Sequence, residues 1–318
     1  MSETKKEDAP LKKVKLTFVE DFLLSGVAAV TSKTASAPIE RIKMVVQNQA
    51  EMVKSGTLEK PFTSVMDCAS WIYREEGFAA FWKSNFTNCI RYFPTQALNF
   101  SFKEEVKKYD SLKKNPADSY LVSTGKNITA GGIAGTGSLA FVYSLDYART
   151  RLANDMKSTK VGGSGRKYAG LLDVYKKTIA EDGFAGLYRG FTISAVGIFV
   201  YRGLYFGMYD TIMPLVPKEN TNVGTRFAVG YCVTVGAGLA SYPIDTIRRR
   251  MMMAGGTSAY KGSLDCATKI MAEEGIKSFF KGAGANILRG VAGAGVLALF
   301  DTVKIAYVDY AYGPGHTV

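Results

Sequence analysis

Pro38-Ile39-Glu40-Arg41-Ile42-Lys43 reappears as Ser144-Leu145-Asp146-Tyr147-Ala148-Arg149, and again as Pro243-Ile244-Asp245-Thr246-Ile247-Arg248. The spacing is about 100 residues, longer than the common solenoid periods. A second element follows each copy: Glu76-Gly77 with Trp82-Lys83, Asp182-Gly183 with Tyr188-Arg189-Gly190, and Glu274-Gly275 with Phe280-Lys281-Gly282. A third element closes each copy, with Glu104 and Lys107, Asp210 and Met213, and Asp301 and Lys304. Three motifs in one order, three times over, establish an internal triplication. The expected divisions are a tail over 1–17, repeat one over 18–115, repeat two over 116–218, and repeat three with the C-terminal tail over 219–318.

Each repeat reads as long helix, loop, short helix, long helix. The first long helices are expected over 18–47, 124–154 and 223–253, the second over 85–109, 191–213 and 283–308. Each exceeds the ~20 residues that cross a hydrocarbon core. Small residues crowd the first helices: Gly26 and Ala28, Gly131, Gly132 and Gly135, Gly236 and Gly238. Glycine inside a helix costs about 1 kcal/mol in water, but small residues let helices approach closely in a membrane. No run of 18 purely apolar residues exists, because Lys33, Arg91, Arg202 and Arg289 interrupt the apolar stretches. Cations within spanning helices face a bundle interior or a watery cavity. The fold class expected is an all-α membrane protein of six transmembrane helices in three pseudo-threefold repeats.

The 318 residues carry a formal net charge of +12, which implies anionic partners. The four cysteines, Cys68, Cys89, Cys232 and Cys266, are far apart, and the single histidine is His316. No metal or cofactor is therefore expected, and no enzyme chemistry. Glu3, Glu7 and Asp8 argue against an acidic-poor transit peptide.

The motifs Pro-x-acid-x-x-base and acid-Gly-x4-aromatic-base resemble those of the mitochondrial carrier family, over nearly the whole chain. The string Arg248-Arg249-Arg250-Met251-Met252-Met253 is similar to a hallmark of the branch of that family that exchanges ADP for ATP. Arg91-Tyr92-Phe93-Pro94-Thr95-Gln96 and Asn286-Ile287-Leu288-Arg289-Gly290 resemble segments of the same branch. The resemblance implies a multi-pass protein of the mitochondrial inner membrane, both termini in the intermembrane space, each repeat carrying a short helix on the matrix side. It implies electrogenic antiport of cytosolic ADP for matrix ATP by a monomer, with proton leak as a secondary activity.

Acid and base at i,i+3 share one helix face. The resemblance implies that they form an inter-repeat matrix gate of Glu40 with Arg149, Asp146 with Arg248, and Asp245 with Lys43, and that Gln47 braces it. Ala153 and Met252 occupy the equivalent positions and cannot brace. Pro38 and Pro243 are expected to kink their helices. Ser144, in place of a proline, is expected to kink more mildly by bonding the carbonyl one turn back. A cytoplasmic gate is implied from Glu104, Lys107, Asp210, Asp301 and Lys304. Met213 removes one base there, so that gate is expected to be the weaker.

The resemblance assigns phosphate binding to Lys33, Arg91 and Arg289, with Arg202 a secondary contact. Tyr201 is expected to take adenine over a recess left by Gly197 and Ile198, with Asn99 nearby. For Arg249 and Arg250 a ligand role and a solvated helix end stand level. Cardiolipin is implied at the helix starts near Ser64, Gly170 and Gly262 and near Ser84, Gly190 and Gly282, where free backbone N–H groups suit phosphate. The nearest rival is a carrier of the same family for another anion. A nucleic-acid-binding repeat protein should instead concentrate its bases on exposed faces, so no nucleic-acid partner is expected.

Overall fold

The computed structural model describes residues 12–13, 17–109, 118–156, 166–217, 223–254, 260–288, 290, 307–313 and 316–317. The side chains of Glu104 and Lys107, and Arg289, Asp301 and Lys304 entirely, lie outside the described residues. Repeat one contains α1 (Phe18–Lys54), α2 (Val65–Trp71) and α3 (Asn85–Lys107). Repeat two contains α4 (Tyr120–Asn154), α5 (Leu171–Asp182) and α6 (Phe191–Ile212). Repeat three contains α7 (Val223–Ala240), α8 (Tyr242–Met253) and α9 (Ser263–Glu274), with further helix over 283–288 and 307–312. Among the described residues the regular structure is helical apart from one two-residue parallel pairing, Lys12–Lys13 with His316–Thr317.

Neighbours pack in chain order, α1 on α3, α3 on α4, α4 on α6 and α6 on α7, while α1, α4 and α8 also meet one another. Those mutual contacts draw the three motif-bearing helix ends to one point. Apolar side chains pack into three buried clusters, yet charged ones are buried as well and large apolar ones face outward: Arg41 and Arg250 are 1% and 0% exposed, whereas Val27 and Phe141 are 61% and 65% exposed. That inversion suits a lipid surround. Among the described residues two stretches, Tyr120–Asn154 and Phe184–Leu215, are long and apolar enough to cross a membrane.

The helix breaks follow the prolines and their neighbours. Pro38 has no N–H, so the Thr34 carbonyl one turn back loses its helical donor. Trp82 Nε1 supplies a donor to that carbonyl at 2.8 Å, and α1 runs unbroken to Lys54, beyond the expected end at 47. In repeat three the aromatic is Phe280, which has no donor. There the single expected helix over 223–253 is divided at Ser241, with Pro243 in the first turn of α8. Ser144 also departs from expectation. The Ala140 carbonyl one turn back takes the Tyr188 hydroxyl at 3.0 Å, and the Ser144 hydroxyl meets Tyr175 at 3.2 Å. α4 is continuous through it.

The aromatic-base-Gly segments are tight turns. Gly190 and Gly282 have φ of +79° and +84°, and Ser84 at the third position has φ +72°. A Cβ at Gly190 would lie 3.1 Å from both the Arg248 carbonyl and the Tyr143 hydroxyl; one at Gly282 would lie 3.0 Å from the Tyr242 hydroxyl and 3.2 Å from the Lys43 carbonyl. Each glycine thus seats the start of one repeat's second helix on the gate helix of the next repeat. Repeat one has Ala37 where the others have Tyr143 and Tyr242, so a Cβ meets no hydroxyl there. The left-handed backbone still costs a non-glycine residue about 1–2 kcal/mol, and glycine's lost chain entropy about 0.5–1. Ser84→Gly is expected to raise unfolding stability by about 0.5–1 kcal/mol, read from thermal melts in detergent.

Candidate functional site

The three acid-x-x-base faces meet as a ring. Glu40 pairs with Arg149, Asp146 with Arg248, and Asp245 with Lys43 at 3.2 Å. Each pair joins two different repeats. Gln47 Nε2 donates to Asp245 at 3.3 Å and to Thr246 Oγ1 at 2.9 Å, beside the Lys43 pair. Asn88 donates to Glu40 at 3.2 Å, and Lys43 donates to Asn286 at 2.9 Å. Partly buried ion pairs lose much of their attraction to desolvation, so a closed ring of this kind is held without being locked.

The ring floors an open cavity of about 800 Å³. Arg91, Arg202 and Arg249 reach its wall, as do Asn99, Gly197 and Tyr201. Arg91 Nε lies 3.8 Å from Asp146 and is buried without a hydrogen-bond partner among the described residues. Arg249 is committed to Asp245 at 3.0 Å. Ile198 lines the same wall as Tyr201, and Asn99 accepts from Ser138 at 2.6 Å. Lys33 does not line this cavity. Its ammonium lies 5.7 Å over the Tyr92 ring, in electrostatic reach of Arg91 and Glu40. A cavity with cations on its wall and an aromatic beside a glycine is chemically suited to a phosphorylated nucleoside.

The six-residue string Arg248–Met253 divides its labour. Arg248 closes the ring and Arg249 faces the cavity. Arg250 is neither solvated nor directed at the cavity. It is fully buried, donating to Glu274 at 2.8 and 3.0 Å, to Glu51 at 3.3 Å and to the Gln47 carbonyl at 3.1 Å. Met251, Met252 and Met253 each pack into a different apolar cluster, those of repeats three, two and one respectively. Methionine's flexible chain fits such irregular junctions.

Beneath the ring lies a belt that the motif reading passed over. Arg41 donates to the Ala153 carbonyl, Arg151 to that of Ala254 at 3.0 Å, and Arg250 to that of Gln47, so each repeat reaches the gate helix of the next, at its end for Ala153 and Ala254 and about two turns before its end for Gln47. Cations at helix C-termini complement the unpaired carbonyls. Arg41 also pairs with Glu76 at 2.6 Å, and Arg189 with Asp182 at 2.7 Å. Thus all three acids of the acid-Gly elements hold an arginine. The legible signal was the recurrence of the acid itself; the arginine that each one holds stands at a different motif position.

The lipid candidates sit at helix starts. Ser64 caps α2 by accepting from Asp67 N at 3.1 Å, and α2 then continues as a π-helical turn over Ile72–Glu76. Gly170 and Gly262 precede α5 and α9 in extended backbone. Of the second gate, Asp210 alone has a described acidic side chain.

A sequence profile described as mitochondrial carrier protein matches residues 14–113, 121–220 and 219–311. The chain is 56% identical over 310 residues to an ADP,ATP carrier protein, mitochondrial, of Solanum tuberosum, covering 96% of this chain and 80% of the relative. It is 57% identical over 301 residues to an ADP,ATP carrier protein of Neurospora crassa, covering 94% and 96%. A protein of the same name in Chlamydomonas reinhardtii is 55% identical over 309 residues, covering 96% and 99%.

Proposed function

The chain belongs to the mitochondrial carrier family, and from that premise we propose that it exchanges ADP for ATP across the mitochondrial inner membrane by alternating access. It is a transporter and not an enzyme. The observation that carries the reading is the cationic cavity floored by three closed inter-repeat ion pairs. Relatives bearing the ADP,ATP carrier name, at 55–57% identity over nearly the full chain, support the substrate.

The closed ring faces the matrix, and this conformation is open to the intermembrane space, where both termini lie. Arg91, with Arg289, draws the phosphates, and Lys33, off the cavity wall over Tyr92, adds positive charge from behind Arg91; Tyr201 stacks the base over Gly197 and Ile198, and Asn99 lies alongside. Substrate lowers the barrier only by binding the intermediate, occluded arrangement more tightly than either open one. As the matrix ring opens, Asp210 and Lys304, and Asp301 and Lys107, come together on the other side, while Glu104 finds Met213 where repeat two would supply a base. Met213 leaves that ring a base short and the weaker of the two. The carrier works as a monomer and leaks protons as a secondary activity. Cardiolipin binds at the short-helix and second-helix starts. Substituting Gly190 there disturbs packing on Arg248 before any lipid contact.

ADP and ATP free of magnesium differ by about one charge, and each charge moved is worth ~2.3 kcal/mol per 100 mV. ATP-loaded proteoliposomes are expected to take up labelled ADP, and faster with the interior made negative. Uptake of labelled GTP and AMP is expected to be far slower. Uptake indifferent to voltage, or equal for all nucleotides, contradicts the reading.

A further inference from the structure

Two seams of the barrel are bridged by peptide at the mouth opposite the ion-pair ring. Residues 108–119 join α3 to α4, and residues 213–222 join α6 to α7. The third seam, between repeats three and one, has no such bridge, because α1 opens the triplicated region and the helix over 307–312 closes it. Two sets of contacts lie at that seam. Glu20 Oε1 accepts from the Tyr307 hydroxyl at 3.0 Å and from the Tyr312 hydroxyl at 2.9 Å, partners 287 and 292 residues away. Further out, Lys12–Lys13 pairs in parallel with His316–Thr317.

We infer that the chain ends form a clasp, Glu20 with Tyr307 and Tyr312 backed by the paired tails, that replaces the missing linker and holds repeat three to repeat one at this mouth. Glu20 suits the role because it is already fixed. Its other oxygen accepts from Thr17 N at 2.8 Å and Thr17 Oγ1 at 2.7 Å, while Glu20 N donates back to Thr17, a reciprocal capping box. A carboxylate held by the cap loses little freedom when the tyrosines arrive, and hydrogen bonds to a charged acceptor are the stronger kind. The ring at Glu40 is twenty residues further along α1, so the clasp and the ring sit about 30 Å apart at 1.5 Å per residue. The clasp therefore closes the seam without touching the cavity. It rests on the fold, not on the nucleotide reading.

The test uses the full chain purified in detergent, with apparent melting temperature as readout. Glu20→Ala and the pair Tyr307→Phe with Tyr312→Phe are each expected to lower it by about 2–4 °C. Combined, they are expected to lower it no further than the larger of the two, because both remove the same contacts. Glu20→Gln keeps one accepting oxygen and is expected to lie between. Thr17→Ala reports the cap alone, and the tyrosine pair must still matter in that background. Additive losses, or tyrosine replacements without effect, overturn the clasp. All variants are expected to retain exchange in proteoliposomes. Should the unaltered chain fail to exchange nucleotide, the transport reading falls while the melting coupling still decides the clasp.

Discussion

Arg250→Ala is expected to lower unfolding stability by about 3–5 kcal/mol, the range for removing one partner of a buried ion pair. The side chain is wholly buried and serves two acids at once. Its fork meets both oxygens of Glu274, at 2.8 and 3.0 Å. Alanine would leave Glu51, 6% exposed, with Tyr260 and the surface-facing Lys54, and Glu274 with Ser278 and Lys281. Arg250→Lys restores charge but not the planar fork, so a smaller loss is expected. Loss of the Gln47 carbonyl contact would also loosen repeat three from repeat one.

The same network sets an acid limit. Burial alone would raise the Glu274 carboxyl, but hydrogen bonds from Arg250 and Ser278 outweigh it and bring the pKa from 4.5 down to about 2. A carboxyl lowered on folding stabilises above its unfolded pKa and loses that contribution as pH falls through the folded value. Native stability should therefore decline between about pH 4.5 and 2, and Arg250→Ala should flatten that part of the profile. Melts at graded pH in detergent measure both effects. A variant as stable as the parent at neutral pH would refute the role given to this arginine.

The ring was legible because its chemistry repeats. One acid-x-x-base turn is a surface pair of little consequence, but three at equivalent depth have a common destination. Arg250 was not legible, since a third arginine in a row at a helix end looks the same whether solvated, ligand-binding or buried. Only the fold brings Glu51 and Glu274 to it from 199 and 24 residues away. The break at Ser241 was hidden for a similar reason. Pro38 and Pro243 are alike in sequence, and what separates them is a donor on a distant aromatic, present on Trp82 and missing from Phe280. The left-handed turn at Ser84 is signalled by glycine at the two equivalent positions, Gly190 and Gly282. Lys33 and Arg91 were placed together by resemblance, yet only Arg91 lines the cavity.

Arg91→Ala is expected to abolish most exchange while leaving the fold intact. Truncating one partner of a desolvated charge pair costs about 2–5 kcal/mol, or roughly 30-fold to several thousand-fold in binding. Arg91 qualifies better than its neighbours. Lys43, Arg149 and Arg248 are held in the ring, and Arg249 is held by Asp245. Among the described residues Arg91 makes only the 3.8 Å approach to Asp146, and its buried Nε has no hydrogen-bond partner there. Its donors are the least committed of these cations, so a phosphate can recruit them without first breaking the gate. By the same argument its loss removes little structure, and the melting temperature without nucleotide should scarcely move. The upward shift given by saturating ADP, which reflects binding to the folded state alone, should be lost. Arg91→Lys should recover part of that shift, keeping the charge without the bidentate fork. Tyr201→Ala should weaken the shift from ADP and leave that from pyrophosphate in place, since the ring is proposed to meet the base and not the phosphates. An Arg91→Ala protein that still exchanged nucleotide at the native rate would move the phosphate site out of this cavity.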